Sequence, residues 1–376
     1  MRVTMVNKYY PPHLGGIEYH MRDLASALAR RGHSVRALVS DESRETVREE
    51  IEGVEVTRLG RAFAYASTPI ALGMRAAVRE QASGESPADL LHLHFPYPWG
   101  EVSWLAARSP LPAVMTYHSD IVRQKTMLAA YAPLLRRVLD RMDVIIASSP
   151  DMVEHSPFLS RVAEKCRVVP FGIDVDRFEL DAHEAVRATT IRAMHPRPIV
   201  LFVGRLVYYK GVDVLVEAMA SVDADLVVVG TGPLERQLRA RIAHLGMQER
   251  TTLLPALAAE DLAVWFNAAH VLCLPSVARS EAFGLVQLEA HAAGTPVVST
   301  GLTTGVPFVN KDGVTGLTVE PGSADELARA LRMLVEDDSL RERLGRQAKE
   351  RARAEFTIDR MVDDTLAVYH EAMEVA

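Results

Sequence analysis

At 376 residues the chain exceeds the roughly 100–200 residues of an ordinary domain, so two domains are expected. Its 48% hydrophobic and 24% charged residues mark a globular protein, and no window reaches the ~18 continuous apolar residues of a membrane span. A formal net charge of −7 with pI ≈ 6.0 argues against a nucleic-acid binder, which normally needs a basic face to neutralise phosphates.

The start, "MRVTMVNKYYPP", is interrupted by Asn7 and Lys8 before a secretory core forms, so a cytoplasmic protein is expected. "RVTMV" reads as the first strand, and Met21, Leu24, Ala25 and Leu28 repeat at i, i+3, i+4, i+7 on the helix after the "PPHLGG" loop. Buried strands follow at "SVRALVS", "LLHLH", "AVMTYH", "VIIAS" and "CRVVP". The polar stretch "DVDRFELDAHEAVRATTIRAMHPRP" reads as an interdomain connection. A second domain then restarts the same grammar with "PIVLFVGR", a loop to Lys210-Gly211, a helix carrying Leu215, Val216 and Met219, and "DLVVVG". It continues through "TTLLP", "HVLCLP", "TPVVST" and "TGLTV", and three helical segments close the chain from Ala324.

Apolar runs alternating with helical segments are the signature of βαβ units, so two doubly wound α/β domains facing across a cleft are expected. Their spans are 1–185 and 186–357, with a last helix at about 358–376 packing back on the first. Residues 1–190 carry 23 Lys+Arg and 24 Asp+Glu, so the acidity sits in the second half. The cationic stretch "YAPLLRRVLDRM" reads as a solvated helix face, with contact to an anionic membrane surface as the alternative. Cys166 and Cys273, one in each half, read as reduced, buried thiols.

Three places carry candidate chemistry. Gly15 and Gly16 lie between the first strand and its helix, where N–H groups could approach an anion, although a plain tight turn explains them as well. "GTGPLE" has Glu235 where a dinucleotide fingerprint needs its third glycine, which argues against nicotinamide binding. Arg205 and Lys210 follow the first strand of the second domain; they suit a diphosphate, or else a salt bridge to a carboxylate such as Glu217. In "SEAFGLVQLEAHAAG" a helix is expected to start near Phe283-Gly284 and to end before Gly294. Glu281 then precedes the helix and Glu289 lies inside it, with free N–H groups near Gly284 and Leu285 between them. Such an arrangement could hold polyol hydroxyls and a phosphate, and its plain alternative is a carboxylate at a helix dipole beside a solvated one.

In this order, the Gly-Gly turn, the Arg…Lys pair and the Glu-x7-Glu helix start resemble the family-four retaining glycosyltransferases of the GT-B type. "PPHLGGIEYHMRDLASALARRGHSV", "YHSD", "VVPFGIDVDRF", "VGRLVYYKG", "VVGTGPLERQLR", "PSVARSEAFGLVQLEAHAAGTPVVST" and "GVTGLTVEPG" extend the resemblance over essentially the whole chain. It implies that Arg205 and Lys210 grip the donor diphosphate and that Gly16 contacts it from the first domain. Glu281, with the Phe283-Gly284-Leu285 backbone, would hold the transferred sugar, Glu289 the ribose, and His118 of "YHSD" would stand beside the sugar. Pro255 stands where the family commonly shows a glycine near the base, so this loop does not identify the base.

The mechanism implied retains anomeric configuration, with no cofactor and no metal. Asp174/Asp176 and Asp223/Asp225 match Asp-x-Asp, but their places in the connection and before a strand read as structural. "YHSDIVRQK" with "GVPFVN" resembles the bacterial polysaccharide mannosyltransferases, which makes GDP-mannose the leading donor, UDP-hexoses an alternative, and a saccharide or lipid-linked molecule the acceptor. Peripheral contact with the inner membrane face would accord with such an acceptor. A nucleotide-sugar 2-epimerase of the same fold and a non-catalytic sugar-binding protein are the competing readings.

Overall fold

The computed structural model describes residues 1–13, 15–65, 68–121 and 125–376, the side chains of 125–127 excepted. Leu14 of the glycine loop and residues 122–124 of "YHSDIVRQK" lie outside the described residues. The chain divides into two compact units, 1–172 with 358–376, and 173–357.

The first unit runs β1 (Arg2–Val6), α1 (Gly16–Arg30), β2 (Ser34–Ser40), β3 (Val47–Ile51), β4 (Val54–Leu59), β5 (Phe63–Tyr65), β6 (Thr68–Ile70), α2 (Met74–Ser83), β7 (Leu90–Phe95), α3 (Pro98–Ala107), β8 (Ala113–Tyr117), α4 (Lys125–Arg141), β9 (Val144–Ala147), α5 (Pro150–His155) and β10 (Cys166–Val168). Its main sheet has the order β10-β9-β8-β7-β1-β2-β4-β3, parallel except for the β3–β4 hairpin. β1, β7, β8 and β9 are almost wholly buried, as continuous apolar strands covered on both faces should be. Met21, Leu24, Ala25 and Leu28 form the buried stripe of α1. On α4, Leu135, Val138 and Leu139 are buried while Arg136, Arg137 and Arg141 are exposed, which is the solvated face expected for the cationic stretch.

The second unit runs α6 (Ala182–Met194), β11 (Ile199–Val203), α7 (Val212–Met219), β12 (Asp225–Val229), α8 (Glu235–His244), β13 (Thr251–Leu254), α9 (Ala259–Ala268), β14 (Val271–Leu274), α10 (Leu285–Ala293), β15 (Val297–Thr300), α11 (Gly305–Val309), β16 (Gly316–Val319), α12 (Ala324–Glu336) and α13 (Asp338–Glu355). Its sheet is wholly parallel in the order β13-β12-β11-β14-β15-β16. Counted within the unit this is 3-2-1-4-5-6, the doubly wound order that leaves a crevice beside the first strand at the strands' carboxyl ends. The last helix, α14 (Ile358–Val375), lies in the first unit, where Met361, Val362, Val368, Tyr369 and Ala372 join the core around Val3 and Met5.

Two features differ from the sequence reading. The stretch from Asp174 to Pro198 is no loose connection: Ile173 bridges to Thr357, Phe178 packs against Phe266, and Asp181 with Glu184 forms a capping box that starts α6. The division therefore falls at 172/173, ahead of the 185/186 expected. Cys273 is buried, but Cys166 is only partly covered, and burial pushes its thiol up to about 11.

Candidate active site

In the second unit, β11 ends at Val203, and Gly204 then delivers Arg205, which is exposed, to the strand's carboxyl edge. A short turn over Tyr208–Lys210 then hands the chain to α7 through Gly211. Gly211 has φ +63°, and a Cβ there would stand 2.0 Å from the Pro275 carbonyl oxygen, so only glycine fits. This tight passage presses the segment against the loop after β14. Lys210 Nζ lies 2.6 Å from Glu281 Oε2, with both side chains largely covered, and Ser276 donates a hydrogen bond to the same oxygen at 3.0 Å. The salt bridge to Glu217 is not formed, because Glu217 holds Arg241 instead.

α10 begins at Leu285 behind Gly284, whose φ of +74° is left-handed, and ends against Gly294 at φ +79°, so both glycine punctuation marks act as the sequence suggests. No side chain caps its N-terminus. Phe283 is buried and its ring meets Phe356 edge-on, which leaves only its backbone for a ligand. Glu289 lies on the helix, only partly covered by area. Desolvation nonetheless pushes its carboxyl up to about 7, against the pull of Arg177 and Lys210. Lys210 therefore touches one carboxylate and acts electrostatically on the other. Arg177 lies in the polar stretch 174–198, where no local motif ties it to Glu289.

In the first unit Gly15 precedes α1 with extended backbone that any residue adopts, and no side chain caps the helix there either. Glu18 occupies the first turn, so a ligand anion at Gly15 and Gly16 would share that end with an acid. His118 follows β8 and is buried, as are His20 of α1 and His92 and His94 of β7. His118 Nε2 and His94 Nδ1 are hydrogen-bonded at 3.0 Å, and the rings of His20 and His118 meet edge-on at 5.0 Å. Burial holds all these imidazoles far below their ordinary range, at about 3 for His20 and His92, so they are neutral near pH 7. The sequence singles out His118 alone of these four. The His-x-His of "LLHLH" was the available signal, since alternate strand residues share a face.

Three of the four Asp-x-Asp carboxylates have basic neighbours. Asp223 accepts from Arg197 at 2.8 Å, Asp225 lies 3.1 Å from His195, and Asp176 stands 3.9 Å from Arg353.

Residues 190–351 match the family model described as glycosyl transferases group 1, and residues 14–177 the model for glycosyltransferase family 4. The O-antigen chain mannosyltransferase C of Escherichia coli is 33% identical over 375 residues, covering 100% of this chain and 99% of that protein. The chain belongs to glycosyltransferase family 4. This family-4 glycosyltransferase is also 34% identical to D-rhamnosyltransferase WbpZ of Pseudomonas aeruginosa, over 95% of its own length and 92% of the relative's. Its fold is that of sucrose-phosphate synthase from Thermosynechococcus elongatus, with TM-score 0.82 and 23% identity over the whole of both chains. It is equally that of Anabaena HepE in complex with UDP-glucose, with TM-score 0.78 and 20% identity over 98% and 99% of the two chains. The GT-B architecture and transferase activity expected from the resemblance are thus its own.

Proposed function

We propose that this glycosyltransferase retains anomeric configuration and moves mannose from GDP-mannose to a saccharide or lipid-linked acceptor. The observation that carries the reading is Lys210, whose ammonium lies 2.6 Å from Glu281 and also acts on Glu289, so that one cation links the two carboxylates flanking the uncapped start of α10. Arg205, exposed beside it, supplies a guanidinium fork for the diphosphate. As the bond from the anomeric carbon to the diphosphate breaks, negative charge builds on the departing oxygen. Arg205, Lys210 and the N–H groups of Gly284 and Leu285 stabilise it. Glu281 accepts hydrogen bonds from the sugar and Glu289 from the ribose. The departing phosphate takes the acceptor's proton as the new glycosidic bond forms on the same face. Gly15, Gly16 and His118 are assigned to the same donor on the family resemblance. No metal is required, so turnover is expected to persist in excess EDTA; a loss that Mg²⁺ or Mn²⁺ restores would show otherwise.

A hexose donor is supported by the name of the mannosyltransferase relative, and UDP-glucose in the Anabaena structure makes UDP-hexoses the second donor class to test. An open apolar hollow of about 200 Å³ in the first unit, lined by Ile70, Trp99, Val102 and Ile121 among others, suits the apolar part of a lipid-linked acceptor. Among the described residues no helix is long and apolar enough to cross a membrane. The exposed Arg136, Arg137 and Arg141 of α4 would serve a peripheral contact at the cytoplasmic face. The deciding experiment is a donor screen by thermal shift and hydrolysis with GDP-, UDP- and ADP-sugars. Stabilisation and hydrolysis with GDP-mannose are expected, whereas preference for another donor, or release of 2-epimerised sugar without acceptor, overturns the assignment.

A further inference from the structure

The histidines of the first unit offer more than one sugar contact. Each of His20, His94 and His118 presents a ring nitrogen, and these three atoms lie within 4.8 Å of one another. All three rings are buried. Both nitrogens of His20, and Nε2 of His94, have no hydrogen-bond partner among the described residues. A buried polar atom without a partner costs on the order of 1–3 kcal/mol, so the His20 ring, with neither nitrogen paired, calls for a ligand. His92 is different: its nitrogens are held by Tyr369 and Thr116, each at 2.7 Å, and it stacks against His94 at 4.4 Å between ring centres. Phe171 closes another side, 4.4 Å from the His20 ring and 5.2 Å from the His118 ring.

We propose that His20, His94 and His118 form a binding site for one zinc ion, and that its occupation takes His118 away from the donor and halts transfer. Three imidazoles and no carboxylate are a borderline-soft donor set, which suits Zn²⁺ and disfavours Mg²⁺ or Ca²⁺. Zinc–nitrogen distances of about 2.0–2.1 Å put tetrahedral ligand atoms roughly 3.4 Å apart, so closing the cluster takes side-chain rotations of about an ångström. His94 and His118 already stand 3.0 Å apart, and the ion would replace their hydrogen bond. With no carboxylate to offset its charge, the fourth position favours hydroxide over a neutral group.

The halting of transfer rests on the role given to His118 above, whereas the site itself does not. The test therefore reads binding and turnover separately on the full chain. Co²⁺ is titrated as a visible-absorbing probe, Zn²⁺ is titrated by calorimetry, and transfer is assayed with and without Zn²⁺. One Co²⁺ per chain with the intense absorption of a tetrahedral site, displaced by Zn²⁺, is expected. His20→Leu and His94→Leu, which keep much of the side-chain volume, should each weaken binding at least tenfold, while His155→Ala on the exposed face of α5 leaves it unchanged. Circular dichroism establishes that the variants fold. Absence of binding, the pale absorption of an octahedral complex, or equal affinity in the folded His20→Leu variant would overturn the site. Inhibition of the wild type by Zn²⁺ and its relief by EDTA are expected, and bound Zn²⁺ with undiminished transfer would overturn the halt alone. A chain that binds zinc as described yet transfers no sugar from any donor would keep the site and overturn the switch, together with the reading of function.

Discussion

Lys210 cannot be treated as a free surface cation, because it neutralises Glu281 in a largely covered pocket. Arg205→Ala, at an exposed position, is therefore the clean test of charge stabilisation: turnover should fall by on the order of 10²–10³-fold with the melting temperature unchanged. Lys210→Ala should lose turnover similarly and also melt lower, since it strands a covered carboxylate with Ser276 alone. Near-wild-type turnover in both variants would remove the diphosphate role. The two glutamates should separate. A charge-assisted hydrogen bond is worth roughly 1.5–3 kcal/mol, so Glu289→Ala should weaken free GDP binding by about 10–150-fold, whereas Glu281→Ala, which frees Lys210 for the diphosphate, should not weaken that affinity and should impair transfer. Because the carboxyl of Glu289 is pushed up to about 7, it is mostly protonated at pH 6 and mostly ionised at pH 8. If the ionised form accepts the ribose hydroxyls, binding should tighten over that window by up to about tenfold more in wild type than in Glu289→Gln, a comparison that cancels the nucleotide's own titration. The same raised value means that the folding stability Glu289 confers is fully present below about pH 4.5 and lost as pH rises through about 7. Parallel pH profiles of binding for wild type and variant, measured by calorimetry, would reject the ribose contact.

At the scale of elements, what the sequence showed and what it hid follow from range and burial. The buried parallel strands were legible because a strand covered on both faces must be continuously apolar, and α10 was legible because glycines mark both of its ends. The β3–β4 hairpin was not. Its edge strand "VREEI" has four exposed residues and no apolar alternation, and its turn is Glu52-Gly53, both at positive φ, where Asn-Gly or Asp-Gly is the usual signal. Helix α6 was hidden by its polarity, although Asp181-x-x-Glu184 announces a capping box. The Lys210–Glu281 pair and the histidine cluster join residues distant in sequence, so of the two only the His-x-His of β7 left a local trace. The turn at Gly211 links element to site. Gly211→Ala must find room beside the Pro275 carbonyl at positive φ and should lose on the order of 2 kcal/mol or more, with turnover falling because Lys210 moves from Glu281. Gly246 has nearly the same φ, +64°, with open space around it, so Gly246→Ala should lose only about 1 kcal/mol and keep its turnover. Equal melting temperatures for the two variants would show that the close approach at Gly211 is not what demands glycine.

At the scale of the molecule, the chain leaves its first unit at Gly172, builds the whole of the second, and returns at Ile358 to finish the first. The final helix therefore belongs to a core that is otherwise complete in sequence nearly two hundred residues earlier. α14 buries Met361, Val362, Val368, Tyr369 and Ala372 against α1, β8 and β9, and Tyr369 hydrogen-bonds His92 at 2.7 Å. On its outer side Arg31 pairs with Asp359 and Asp363, and Arg167 with Glu371. Those ion pairs are partly exposed and contribute little. The buried side chains dominate: at roughly 1.5–3 kcal/mol for each of the four large ones, their removal costs about 6–12 kcal/mol, comparable to the 5–15 kcal/mol that holds an ordinary domain folded. A chain ending at Thr357 should therefore lose the cooperative melting of its first unit. Amide hydrogens of β1 and β7 should exchange rapidly, while those of β11 and β12, in a unit that contributes no residue to α14, stay protected. His92 would lose the partner of its Nδ1 in the same truncation, so the histidine cluster should loosen with the core that carries it. Hydrogen exchange followed by mass spectrometry on the two chains separates the outcomes. Protection of β1 and β7 equal to that of the full chain would mean that α14 only covers a unit already stable without it.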